Sequence, residues 1–224
     1  MVNAHLIVGA DGCILVDTGL PGSAAKIEKV LTKHGLTFGD IKLIAITHAH
    51  VDHAGSAALL RELSTAPIVA HQDDAEYFSG ASPMTFCPTG WFGRLFLKTS
   101  LMFEAYKSFV PDILLSNNDV LDLSGYGIRG TLGHTPGHTA GSISVELFTK
   151  DALVGDLIAS GILLGGIMRT NHAKRPPFED DPRIAGLALQ RLLDSGMERF
   201  YMGHGGPLAA HEVQRHARML MAIK

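Results

Sequence analysis

A nearly continuous apolar run, Ile41–Thr47 (IKLIAIT), opens directly into Thr47-His48-Ala49-His50-Val51-Asp52-His53. An apolar run of this kind is the pattern of a strand buried on both faces, so the chain must lay further structure against each side of it. The strand also delivers His48, His50, Asp52 and His53 at its carboxyl end, a set within six residues that no packing role requires. Alternate residues of an extended segment point the same way. His48 and His50 can therefore converge on one ion, while Asp52 and His53 on the following turn face a second. Imidazole and carboxylate are ligands that zinc accepts and that iron and manganese tolerate.

Composition supports a histidine and carboxylate site. The chain has 224 residues with 12 histidines and only two cysteines, Cys13 and Cys87, which are too few and too far apart for a disulfide framework or a thiolate metal site. Reduced thiols, and with them a cytoplasmic location, are expected. No stretch of about 18 uninterrupted apolar residues occurs, and no basic, then apolar, leader opens the chain, so no membrane association is expected. Because Met1 runs straight into the apolar stretch Val2–Val8, an upstream leader removed from the sequence would change the location. Lys plus Arg is 19 and Asp plus Glu is 22, a net charge of −3, which leaves no basic surface for nucleic acid.

The rest of the chain alternates strand and helix. Val2–Val8 and Cys13–Asp17, joined by Gly9-Ala10-Asp11-Gly12, read as a hairpin. A helix from Ser23 to Gly35, a second over about 54–64 and a strand at Ala66–Ala70 complete the first half. The second half has strands near Val120–Leu123, Tyr126–Leu132, Ser142–Phe148, Ala152–Gly155 and Arg199–Met202, with helices over about Pro182–Ser195 and Ala209–Ala222. Two such α/β halves predict a sandwich of sheets covered by helices, a single domain over 1–224. Between them, residues 74–116 hold nine of the 15 aromatic residues, so this stretch needs its own explanation. Phe92, Leu95, Phe96, Met102, Phe103 and Tyr106 approximate helical spacing. The stretch is read as a helical insert that packs on the body, walls a substrate site or joins two copies in a homodimer.

THAHVDH matches the H-x-H-x-D-H signature of the metallo-β-lactamase superfamily, and the superfamily's other pieces follow in order. Asp17-Thr18-Gly19 resembles its early D-T-G turn, Gly137-His138-Thr139-Ala140-Gly141-Ser142 its G-H-T-x-G-S segment, Val154-Gly155-Asp156 its strand-ending G-D, and Gly203-His204-Gly205 its G-H-G. The resemblance implies a four-layer αβ/βα sandwich of two mixed β-sheets flanked by helices. It places His48, His50 and His138 on one metal and Asp52, His53 and His204 on another, with Asp156 bridging and Asp17 orienting a ligand. His134 competes for the third histidine position, and the G-H-T-x-G-S frame selects His138. Two divalent ions, zinc before iron or manganese, are the implied cofactors. Metal lowers the pKa of bound water to roughly 7, so hydroxide becomes available at neutral pH, with Asp52 to orient it and carry its proton.

This superfamily uses one centre on several substrates, so departures from its subfamily patterns narrow the choice. β-Lactamases generally lack a bridging aspartate where this chain has Asp156. Acyl-homoserine lactonases place a tyrosine three residues after it, and here the residue is Ala159. Glyoxalase II shares all seven ligands but carries a C-terminal extension, whereas this chain ends 20 residues after His204 and has Gly165 and Gly206 at its glutathione-contact positions. His50 stands where flavodiiron oxidases have glutamate. The expectation is a dinuclear hydrolase of esters, thioesters or lactones, acting on a small molecule with an apolar portion. The alternatives are a β-lactam hydrolase and a non-catalytic metal-binding regulatory protein.

Overall fold

Successive side chains of a strand face opposite sides of its sheet, and here both sides are apolar. The computed structural model describes residues 2–99, 105–162 and 168–223. Its first sheet runs in the order β1 (His5–Val8), β2 (Cys13–Val16), β3 (Ile41–Ala45), β4 (Ile68–His71) and β5 (Ile113–Leu115). The β1–β2 pair is antiparallel and the other pairs are parallel. Cys13, Leu15, Ile44, Ile68 and Ala70 point outward onto α1 (Ala24–Lys33) and the helices after β3, which contribute Leu31 and Leu60. The alternate residues Ile14, Val16, Leu43, Ala45 and Val69 point inward to Leu132, Ile143, Val145 and Leu153 of the second sheet.

That second sheet contains β6 (Val120–Asp122), β7 (Gly130–His134), β8 (Ile143–Leu147), β9 (Asp151–Leu153), β12 (Arg199–Tyr201) and β13 (Leu208–Ala209), ordered β13-β12-β9-β8-β7-β6. It is antiparallel except where β12 runs parallel to β9. Its outer face packs on α6 (Pro182–Asp194) and α7 (Ala210–Met221) through Phe200, Leu189, Val213 and Leu220. Helices, sheet, sheet and helices make the expected four layers. A two-strand ribbon, β10 (Ala159–Ser160) with β11 (Ala173–Lys174), lies outside both sheets. No helix among the described residues is long and apolar enough to cross a membrane.

Three local departures from the sequence reading have physical causes. The helix expected over about 54–64 divides into α2 (Val51–Ala54) and α3 (Ala57–Ser64). Its break is docked: Ser56 Oγ accepts from Ser23 N at 3.0 Å and donates to Leu20 O at 2.7 Å. The strand expected from Tyr126 begins at Gly130, because Ser124–Tyr126 form a 3-10 turn that Gly127 closes at φ 77°. Within 74–116, helices cover α4 (Ala75–Ser79) and α5 (Gly90–Phe96), whereas residues 105–111 are irregular and Ile113–Leu115 join the first sheet as β5. The helical stripe therefore holds for Phe92, Leu95 and Phe96, while Met102 and Phe103 lie outside the described residues. Tyr106 is not helical, and its hydroxyl donates to Ala49 O at 3.1 Å.

His216, on α7, is fully buried, and neither ring nitrogen has a hydrogen-bond partner among the described residues. Burial, then the nearby Arg215, pushes its pKa down to about 4. A histidine held neutral in this way contributes no penalty above its ordinary pKa of 6.5, and stability is lost as pH falls from there to about 4, because the unfolded chain takes up the proton first. His216→Leu is expected to flatten that acid loss, so that its stability relative to wild type is higher at pH 5 than at pH 8. Denaturant titrations at the two pH values measure it.

Candidate metal centre

The carboxyl ends of β2 and β3 lie side by side, and the residues just beyond them start the site. Asp17 leaves β2 in the left-handed region at φ 61°, a conformation that aspartate tolerates better than most residues. It aims its buried carboxylate at the next strand end. Oδ1 accepts from Thr47 N at 2.8 Å, Oδ2 from His53 Nδ1 at 2.8 Å, and both oxygens lie within 3.0 Å of the Thr47 hydroxyl. Thr47 Oγ1 is also 3.0 Å from His48 Nδ1. With the hydroxyl proton given to Asp17, the network assigns the Nδ1 proton to His48, as the Asp17 contact does to His53. Nε2 of both rings is then the nitrogen turned toward the site. Asp17 thus orients two predicted ligands, one directly and one through Thr47.

All seven predicted ligands come together. His138 Nε2 lies 3.1 Å from both His48 Nε2 and His50 Nδ1. His204 Nε2 lies 3.1 Å from Asp52 Oδ2 and 3.4 Å from Asp156 Oδ2, and His53 Nε2 lies 3.6 Å from Asp156 Oδ1. Three overlapping groups result, each with ligand atoms within 4.8 Å of one another: His48, His50 and His138; His48, His53 and Asp156; Asp52, His53 and His204. Asp156 stands among His48 and His53 on one side and next to His204 on the other. Five imidazoles and three carboxylates, Asp17 included, thus converge where β2, β3 and β9 end.

The donor chemistry fits divalent cations. His138 Nε2 faces two other ring nitrogens, and one proton can satisfy only one of those contacts. His53 Nε2 and Asp156 Oδ1 are buried without a hydrogen-bond partner among the described residues. Burial, reinforced by neighbouring imidazoles, pushes His48 far below its ordinary pKa, His50 down to about 3 and His138 to about 4, so this group stays neutral and ligand-competent. At the other end, burial is overcome by carboxylates. Asp17, Asp156 and Asp52 raise His53, and Asp156 and Asp52 raise His204. The two imidazoles in turn hold Asp52 and Asp156 below the usual carboxylate range against the effect of burial. Local negative charge in excess of what the imidazoles neutralise is the field of a cation site.

His134 is placed elsewhere. It stacks on His71 at 3.8 Å with 9° between the ring planes, and its Nε2 donates to Ala140 O at 2.7 Å. The two histidines and Asp73 form a fourth cluster of ligand-type atoms, but the in-plane lone pairs of parallel rings run side by side instead of meeting. His172 is exposed and pairs with Glu212 at 3.0 Å. The sequence reading missed Thr47, Asp74 and Phe178. Phe178 is buried 5.0 Å from Phe86, and Phe86 lies 5.0 Å from His50. Phe96 stacks on Phe178 at 5.9 Å and Phe92 on Phe96 at 5.9 Å, so an aromatic wall runs from His50 to α5.

The model of the metallo-beta-lactamase superfamily matches residues 1–204, and the chain belongs to that superfamily. The probable metallo-hydrolase YqgX of Bacillus subtilis is 31% identical over 75% of this chain and 70% of its own. The probable metallo-hydrolase YflN of the same organism is 26% identical over 87% of this chain and 76% of its own. A crystal structure of the metallo-beta-lactamase family protein TTHA1429 from Thermus thermophilus covers 99% of this chain and 73% of that one, with a TM-score of 0.69 and 27% identity. The two-sheet architecture and its flanking helices are those of this fold.

Proposed function

We propose that this protein uses two divalent ions, zinc first, to hydrolyse the carbonyl of an ester, thioester or lactone whose apolar portion lies on the aromatic wall. The coarser statement rests on the family and on relatives described as metallo-hydrolases: the chain is a metal-dependent hydrolase. The observation that carries the reading is the convergence of seven ligand-type side chains in overlapping groups where several strands end. His48, His50 and His138 would hold one ion and Asp52, His53 and His204 the other, with Asp156 between them. When bound, such ions supply a nucleophile at neutral pH and polarise the carbonyl oxygen.

The chain's own residues do the rest. Asp17 and Thr47 hold the Nδ1 sides of His53 and His48, so each ring presents Nε2 to the site. The side chain of Asp52 is 23% exposed, whereas that of Asp156 is 5% exposed, so Asp52 is the carboxylate open to solvent. It is the group placed to orient the attacking water and to pass its proton to the leaving oxygen or sulfur. Phe86 next to His50, backed by the buried Phe178, supplies the apolar surface, which favours substrates with a hydrophobic acyl or aryl part.

Purified protein loaded with zinc or manganese is expected to cleave members of an ester, thioester and lactone panel, and to prefer those with larger apolar groups. The Asp52→Ala/His53→Ala variant is expected to fall to the uncatalysed rate. Full activity in that variant removes the proposal. Turnover of the β-lactam nitrocefin in preference to every acyl substrate overturns the substrate class.

A further inference from the structure

Asp74 occupies the N-cap of α4, where an aspartate ordinarily accepts from backbone N–H groups of its own first turn. Its side chain makes no such bond. It reaches instead into two loops far away in sequence: Oδ2 accepts from Ala49 N at 2.9 Å and from the Thr139 hydroxyl at 3.0 Å, and Oδ1 accepts from Gly141 N at 2.9 Å. Ala49 lies between His48 and His50, and Thr139 follows His138. One fully buried carboxylate therefore ties together the two loops that carry the three-histidine group. The approach is close enough to dictate sequence, because a Cβ on Gly141 would come within 2.6 Å of Asp74 Cγ and Oδ1. Forgoing a local cap for three long-range bonds, in a site that excludes water, is a costly use of a carboxylate unless those bonds hold something in register.

We propose that Asp74 is a positioning residue that clamps the His48–His50 loop to the His138 loop, so that their ring nitrogens converge on one ion. The inference rests on the metal-site reading above. Burial pushes the Asp74 carboxyl up to about 6, with its three donors pulling the other way, so it is ionised near neutral pH and accepts from all three. Its three bonds run to the His48–His50 loop and the His138 loop, so its influence falls on that end of the site.

Asp74→Asn tests the clamp. An amide offers its oxygen to Ala49 and Thr139 or to Gly141, never to both sides, and its NH₂ then confronts a donor. Zinc release to a chromogenic chelator, read as stoichiometry and affinity, is compared in the wild type and the variant, and His50→Ala identifies the release step of the three-histidine group. That step is expected to weaken by about 10–100-fold in Asp74→Asn, with the other step unchanged. If Asp74→Asn does not fold, Thr139→Val removes one donor and is read in the same way, with a smaller loss at the same step expected. Unchanged release, or equal weakening of both steps, refutes the clamp and leaves the metal reading standing. A wild type that binds no zinc overturns the metal reading, and the clamp with it.

Discussion

Stripping the metal from zinc-loaded protein with a chelator is expected to abolish hydrolysis and to lower the midpoint of thermal unfolding, and returning zinc is expected to restore both. The reason is the charge pattern of the site. Three carboxylates raise His53, and two of them, Asp156 and Asp52, raise His204, against burial that alone would lower both imidazoles. In the metal-free chain those two protonated rings contribute stability that is fully present below their ordinary pKa of 6.5 and is lost as pH rises through their raised values. A bound dication takes over the same role without that loss, so the stabilisation by zinc is expected to grow as pH rises. Zinc at 100 times its dissociation constant stabilises by about 2.7 kcal/mol. For a chain of this size that is a midpoint shift of roughly 5–10 °C. Calorimetry at pH 6 and pH 8.5, with and without zinc, measures both the shift and its pH dependence. A shift that shrinks with rising pH would place the ion away from His53 and His204.

Much of this site was legible before any coordinates, and the reason is local. His48, His50, Asp52 and His53 sit within six residues at the end of an apolar run, so spacing alone put ligand-type atoms together. His138, Asp156 and His204 have no such neighbours, and only the glycine-framed segments of the superfamily pointed to them. The layering was legible where a strand alternated two apolar faces, as in Cys13, Ile14, Leu15 and Val16. It was illegible in β10, β11 and β13, which span two residues each and carry no measurable period. Thr47 and Asp74 were missed for a different reason. Thr47 bonds Asp17, 30 positions away, and Asp74 bonds Ala49, Thr139 and Gly141, 25, 65 and 67 positions away. Asp74, in the polar segment HQDDAEYF, looks like an ordinary helix cap or a solvated acid. The aromatic excess in residues 74–116 was visible, but its anchor at the site, Phe178, comes from the other half of the chain and reaches Phe86 only through the fold.

Gly203→Ala is expected to lower kcat/KM by about 100-fold or more, since displacing a reacting group by about 1 Å can cost that much. Gly203 precedes His204, and its Cα faces the interior of the site. A methyl group there would press on Asp156 Oδ1 and His53 Cε1, and it would lie 3.0 Å from His53 Nε2. Both neighbours are anchored. His53 is held by Asp17 on its far nitrogen, and Asp156 has a side chain only 5% exposed. Neither can yield without moving a ligand atom, so the crowding is expected to appear in the chemistry. Overpacking of this kind costs about 1–3 kcal/mol in stability, a loss that unfolding experiments would register separately. Gly196→Ala provides the contrast. Gly196 sits at φ 91°, where a side chain is strained by the backbone alone, and a Cβ there meets nothing within 4 Å. That variant is expected to lose about 1–2 kcal/mol of stability while keeping wild-type kcat/KM. The pair separates a glycine required by the turn from one required by the site. Equal activity loss in both variants would mean that stability, and not the geometry of His53 and Asp156, limits turnover.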